Sequence, residues 1–317
     1  MKTYFWGLAL GKWAVVGGFA LLASASAAGN QVEVLQEGEL VKVFGDNAAN
    51  NIAIAQNLNG DITVTGRNGT LVNGRTSVRL PRVPLNAMEI DMGGGNDIVA
   101  LSNLRIANDL FVNLGEGANR LLTGAAPSSV GANVAIEGGM SSDLIRLTQW
   151  TIGGDLAIDG KGGVLDALLT GLDVGFGLTV IGDAANDIIN LQGCTVGDTT
   201  SLEGKGGANR VTVNDFVGFD LHASTDFGND IITFSAIMTT GDVGVVTGVG
   251  NDRVVMTNVF SGKNLLVSLD AGADFYQGTN VMVTYDAVFE GGAGVDTFKD
   301  FGISAGIKKE IKEFELF

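Results

Sequence analysis

A glycine-rich turn with one polar or charged residue recurs along this chain about every 22 residues. Self-similarity at a fixed interval constrains a fold more than any local pattern. The clearest copies are GGGNDIVAL around Asp97, GDAANDIINL around Asp187, DFGNDIITF around Asp230 and GVGNDRVVM around Asp252. Looser copies centre on Arg120, Asp143, Asp166, Arg210, Asp274 and Asp296, so the series runs from Asp97 to Asp296 at intervals of 20 to 23 residues.

A second series runs in phase with the first. Asp61, Asn86, Asp109, Asn133, Asp155, Asp198, Asp220, Asp242, Asn264 and Asp286 each lead into a short β-rich run such as DLFVNL or NLLVSL, and Gly177 takes this place once. Each period therefore holds two recognisable strands and two corners. After the first corner, apolar residues alternate with variable ones, as in Val99/Leu101, Ile145/Leu147, Ile189/Leu191, Ile232/Phe234 and Val254/Met256. Period-two alternation describes a strand buried on one face. A lone strand of this length cannot bury that face, but stacked copies cover one another and build a continuous core. Glycine every few residues disfavours the helical alternative.

The pattern predicts an all-β, single-domain parallel β-helix, a solenoid expected to be right-handed, with about 11–12 coils of ~22 residues. Upstream, GDNAANNIAIAQNLNGDITVTG fits the same scheme with Asn51 at the first corner. Residues 66–90 fit loosely and contain Pro81 and Pro84, which predicts an irregular coil or bulge. Residues 32–44 are expected to form an N-terminal cap strand. Residues 303–317, dense in Lys308, Lys309, Glu310, Lys312, Glu313 and Glu315, are expected to form a charged C-terminal cap, with a short helix as the alternative.

Composition narrows the classes further. The chain has 317 residues, 48 of them glycine but only 3 proline, and 45% are hydrophobic. Collagen needs far more proline, and a disordered acidic tail needs far fewer apolar residues. A nucleic-acid binder needs a basic face, and the formal net charge of −16 argues against one. One cysteine, Cys194, excludes a disulfide framework, and one histidine, His222, excludes any two-histidine mechanism.

Residues 1–28, MKTYFWGLALGKWAVVGGFALLASASAA, have the form of a secretory signal: early lysines, a short apolar run and small residues at the end. The repeat domain is then 29–317. Removing Lys2 and Lys12 and no acid would leave a charge of −18. No later stretch is apolar enough for a membrane span, so the expected location is outside the cytoplasm: secreted, at the cell surface or periplasmic.

Stacking would bring the corner residues into columns. The asparagines before the corner, Asn96, Asn119, Asn186, Asn209, Asn229 and Asn251, could form side-chain ladders. Asp143, Asp166 and Asp187 are consecutive in the aspartate series, and so are Asp230, Asp252, Asp274 and Asp296. Asp183, Asp226 and Asp270 precede three of those corners. Rows of carboxylates beside glycine-freed carbonyls suit a hard cation with six to eight oxygen ligands, calcium before magnesium. An acidic, solvated edge that keeps a rod soluble explains the same residues. In the calcium reading Arg120 and Arg210 replace the cation by neutralising their neighbours directly.

GGGNDIVAL and GGAGVDTFK resemble the glycine-aspartate turn of the RTX family of secreted bacterial calcium-binding proteins. The alternation of GxGND, strand, corner and strand resembles more closely the secreted bacterial β-strand-repeat proteins built as long acidic β-helices. The resemblance covers about residues 45–300 and implies calcium at the stacked corners and a role at the cell surface. RTX turns recur every nine residues, whereas here they recur about every 22, so each site would need neighbouring coils to cooperate.

Carboxylates are abundant, but the repeat accounts for them, and none stands outside it with an acid or base partner. His222 beside Asp220, Cys194 in a turn, and Lys161 and Lys205 in GKGG corners each have a structural explanation. Trp150 is the only tryptophan after residue 28, so exposed aromatics for sugar stacking are scarce. The expectation is a non-enzymatic protein with a structural, adhesive or surface-binding task and no catalytic residues, its partners being surface polymers or other envelope proteins. A carbohydrate-active β-helix and a ligand-free scaffold are the alternatives.

Overall fold

The structure is a computed structural model, and it describes residues 29–82 and 84–315. The signal-like segment 1–28 lies outside the described residues. Every regular element among the described residues is a β-strand. No helix among the described residues is long and apolar enough to cross a membrane.

From Ala87 onward the chain winds as a parallel β-solenoid of about ten turns with a coil spacing near 22 residues. One sheet stacks Ala87–Asp91, Leu110–Asn113, Val134–Glu137, Leu156–Asp159 and their successors as far as Lys308–Lys312. The other stacks Ile98–Ser102, Arg120–Thr123, Asp143–Thr148, Leu165–Thr170 and their successors as far as Thr297–Ala305. At the usual strand spacing of ~4.8 Å, ten turns make a rod roughly 50 Å long.

Each coil has a third flat that the two-strand reading did not resolve. Short strands Arg105–Ile106, Ser128–Val130, Trp150–Ile152 and Asp173–Val174 follow the second-sheet strands and stack on one another. From Ile188 onward the two merge into single nine-residue strands. In nine of the coils the bend between them is made by one left-handed residue: Asn103, Gln149, Gly171, Gly193, Asp215, Ala236, Asn258, Asn280 and Gly302. Glycine adopts this conformation freely, and asparagine and aspartate tolerate it better than other residues do.

The core is one stack of inward-facing residues. Val99, Leu121, Ile145, Ala167, Ile189, Val211, Ile232, Val254, Tyr276 and Phe298 are in register and buried. Bulk at one position is balanced by its absence at another. A side chain at Gly278 would meet the Tyr276 hydroxyl at 2.8 Å and Ile303 at 2.6 Å. Tyr276, Phe289 and Phe298 pack together near the C-terminal end, and Phe314 lies 5.2 Å from the Phe298 ring.

The N-terminal end departs from the expected coils. Gln31–Glu37 and Leu40–Phe44 form an antiparallel pair, and Leu40–Phe44 then stacks in parallel on Ala87–Asp91. Asn51–Gln56 stacks on Ile98–Ser102 as a coil strand should. Ile62–Gly66, expected to be the second strand of the same coil, instead turns back as a hairpin on Asn51–Gln56, and Ser77–Leu80 pairs against it. Arg79 and the Arg82 amide both engage Asp61, which fixes this return. At the other end, Lys308–Lys312 adds a last strand to the first sheet rather than a helix.

Candidate functional site

The corner that opens the second-sheet strands contains a column of polar residues sealed inside the rod. Asn50, Asp97, Asn119, Asp143, Asp187, Asn209, Asp230, Asp252, Asp274 and Asp296 are all at most 3% exposed. From Asp97 onward each side chain reaches back one coil and accepts a main-chain N–H, whereas Asn50 accepts the Asp46 amide of its own turn. The Asn50 amide donates to Asp97 Oδ1 at 2.7 Å, and the Asp97 amide to Asn119 Oδ1 at 2.8 Å. The Asn209, Asp230, Asp252 and Asp274 amides donate in turn to Asp230, Asp252, Asp274 and Asp296 at 2.6–2.8 Å. Glu315 ends the series by accepting from the Asp296 amide at 2.5 Å. A corner amide cannot join a strand ladder, and an unpaired buried N–H costs about 1–3 kcal/mol. The column supplies that partner coil after coil.

Glycine makes room for the folded-back side chains. A Cβ at Gly182 would stand 2.0 Å from Asp187 Oδ2, and one at Gly138 would stand 2.5 Å from Asp143 Oδ2. In these two coils the second oxygen also accepts an amide, from Gly139 at 2.8 Å and from Asp183 at 3.0 Å. In Asp97, Asp230, Asp252, Asp274 and Asp296 the buried Oδ2 has no hydrogen-bond partner. Burial pushes the carboxyls of Asp97 and Asp274 up to about 7 and that of Asp252 up to about 6. It also raises those of Asp143, Asp187, Asp230 and Asp296.

The register corrects four members of the sequence column, the first being Asn51, which is level with Ile98 while Asn50 holds the buried corner position. Asp143 is level with Leu165, and Asp166 with Leu144 and Ile188. Leu165 therefore occupies the buried position, while Asp166 faces outward and pairs with Arg146 at 2.6 Å. Arg120 is level with Ile98 and Leu144, and Arg210 with Ile188 and Ile231. Asn119 and Asn209 hold the buried position in those coils, so the arginines do not replace a cation there. Strand alternation contained this signal, because Leu121 and Val211 continue the inward series only if counted from the asparagines. An asparagine also solves the problem of the second oxygen: Asn119 Nδ2 donates to Gly115 O at 3.0 Å.

Asp183, Asp226 and Asp270 lie on the outer side of the same corner. Asp226 and Asp270 are exposed, and Asp183 is half-buried. They do not stack on one another, since Lys205 adjoins Asp226 and Gly248 stands between Asp226 and Asp270. Calcium needs six to eight oxygens converging on one point. Here the inner carboxylates each commit an oxygen to an amide, and the outer ones are interleaved with other residues. Among the described residues no group of three or more acidic, histidine or cysteine side chains is arranged to hold a metal. This donor set does not fit a calcium cage.

Two outer columns run the opposite way. Asn96, Asn186, Asn229 and Asn251 accept amides from the following coil at 2.7–2.9 Å. At the corner opening the first-sheet strands, Asp220 accepts from the Asp242 amide at 2.6 Å and Asp242 from the Asn264 amide at 2.9 Å. Inner side chains thus reach toward the N-terminal end of the rod and outer ones toward the C-terminal end.

The remaining candidates are structural. His222 lies half-buried on the outer face of its sheet, over Gly244, where a Cβ would stand 2.5 Å from its Nδ1. Burial lowers its pKa, with Asp220 and Asp242 acting against that. Cys194 is in a strand rather than a turn, faces the core, and has its thiol pKa raised by burial. Lys161 bridges Glu137 and Asp159 at 3.3 and 3.1 Å. Trp150 is buried.

Fold and corners together define an acidic parallel β-solenoid whose coils are fastened by side-chain-to-backbone hydrogen bonds. No family model, curated protein or solved structure matches the chain.

Proposed function

We propose that this protein is an exported, non-enzymatic rod that serves a structural or surface-binding role in the cell envelope or outside the cell. The observation that carries this reading is the use of the corner carboxylates. Each buried column aspartate accepts a main-chain amide of the preceding coil, as Asp143 Oδ1 does from Asn119 and Asp187 Oδ1 does from Leu165. They are spent on holding the coils together, and paired acids free to act on a glycosidic bond are not needed to explain them. The signal-like start of the chain and the −16 charge suit a soluble extracellular rod.

Fractionating expressing cells tests export. The expected result is protein in the envelope or medium with its N-terminus near Gly29. Full-length protein confined to the cytosol overturns the reading. Incubation with acidic and neutral polysaccharides tests the non-catalytic part, with no release of reducing ends or unsaturated products expected. Turnover would establish the carbohydrate-active alternative.

A further inference from the structure

The acidic rod carries an arginine-rich stretch near its N-terminal end. Between Asp61 and Glu89 the chain carries Arg67, Arg75, Arg79 and Arg82 and no acidic residue. Arg79 pairs with Asp61, but among the described residues Arg67, Arg82 and Arg105 have no acidic partner within ion-pair distance. In a chain with 35 acids and 19 bases, three unpaired guanidinium groups in one region are not needed to balance local charge.

These arginines line two clefts. One, of about 560 Å³, lies between the tip of the 56–61 hairpin, the segment around Pro84 and the third flat at Asn103–Ala107, with Arg82 and Arg105 in its walls. The other, of about 290 Å³, has Arg67 in its wall. They adjoin in the chain, since Ser102 lines one and Asn103 the other. No described Asp or Glu lines either cleft.

The larger cleft is braced rather than loose. Asn103 Nδ2 donates to Gln56 O at 2.7 Å, and the Arg105 amide donates to Gln56 Oε1 at 2.8 Å. Arg82 lays its stem along Gly60, where a Cβ would stand 3.2 Å from Arg82 Cγ. Asn57, Asn59 and Asn103 add amide groups to the wall. Guanidinium groups bind planar carboxylates in a bidentate fork, and side-chain amides suit hydroxyl groups. Neither cleft is lined by an aromatic ring on which a nucleobase could stack.

We propose that this end of the rod binds an acidic polysaccharide, with Arg82 and Arg105 holding uronate carboxylates in the larger cleft and Arg67 engaging a further one along the polymer. The proposal deepens the surface-binding reading by naming a ligand class. It also places anion recognition on a protein whose overall charge would repel such a polymer.

The test is calorimetric titration of the purified, full protein with an oligogalacturonate. Binding that weakens at higher salt is expected. The double variant Arg82→Ala, Arg105→Ala should weaken it at least tenfold, with an unchanged circular dichroism spectrum. Lys308→Ala, Lys309→Ala at the opposite end should leave it unchanged. The methyl-esterified oligomer, which has the same rings without the charge, should not bind. No binding, equal binding of the ester, or equal loss in both double variants overturns the proposal. Oligothymidylate binding as tightly as the uronate would assign the clefts to nucleic acid instead. Fractionation is read independently, so an exported rod that ignores uronates refutes only this inference.

Discussion

The main-chain amide of Asp252 donates to Asp274 Oδ1, 22 residues later and one coil above, at 2.7 Å. The two residues sit in a column that seals one corner of the solenoid from water, and both are 2% exposed. Truncation and isosteric replacement at Asp274 should therefore differ. Asp274→Ala leaves the Asp252 amide buried and unpaired and should cost roughly 2 kcal/mol. Asp274→Asn keeps the acceptor and removes a charge from a buried site, as Asn119 and Asn209 already do. Near pH 8 it should leave the protein as stable or more so, and urea unfolding of both variants provides the comparison.

The same column sets an unusual pH dependence. Asp97, Asp252 and Asp274 hold their protons up to about 7, 6 and 7 respectively, against 3.8 for an unperturbed aspartate. Between those limits the unfolded chain releases protons that the folded chain retains. Stability contributed by these groups is thus present at low pH and lost as pH rises through the folded values. The melting temperature should fall from pH 5 to pH 8. The double variant Asp252→Asn, Asp274→Asn should show a flatter profile, which separates the buried column from general charge repulsion.

Ala236 occupies a left-handed bend, at φ 54°, that Asp215 and Asn258 fill in the adjacent coils. A residue with a Cβ and no local hydrogen-bonding group is strained there by about 1–2 kcal/mol. Asn280 Nδ2 donates to Asn258 Oδ1 at 2.8 Å, so asparagines at this bend can also stack. Ala236→Asn should stabilise the protein by roughly 1 kcal/mol, measured as a shift in the urea midpoint at constant slope.

Chelation should not loosen the rod. The column carboxylates each commit an oxygen to an amide and the outer acids are interleaved with other residues, so EDTA is expected to leave the melting temperature and the hydrogen-exchange protection of coils 143–187 and 230–296 unchanged. Selective deprotection of those coils would restore calcium as their fastener.

Loss of the last strand should make the rod associate. Lys308–Lys312 covers the edge of Asp286–Glu290, and Phe314 covers Phe298. Deleting residues 306–317 would expose both an unpaired edge and an aromatic cluster, a template for further pairing. Size-exclusion chromatography should show larger species than the intact protein gives.

Much of this architecture was legible in the repeat. The alternation of Val99 with Leu101 and of Ile232 with Phe234 fixes strands and inward faces, and the 22-residue interval fixes their stacking. The N-terminal hairpin was not legible. DITVTG at 61–66 repeats the local pattern of a coil strand, but the Asn57–Asp61 turn closes on itself, and Arg79 and the Arg82 amide, arriving from later in the chain, hold Asp61 in the hairpin on Asn51–Gln56. The clefts were equally hidden, since Gln56, Arg82 and Arg105 are far apart in sequence.

The sequence by itself determined that this chain must stack, because no single coil can bury its own apolar face. It also determined where the corners fall, because glycine and aspartate return at a fixed interval. Only the tertiary structure decided what the corner acids do. A carboxylate at a turn looks solvated when read along the chain, but stacking places the next coil's backbone over it. The unpaired amide of a neighbouring coil then takes one oxygen, burial favours a proton on the other, and an apparent acidic edge becomes an internal seam.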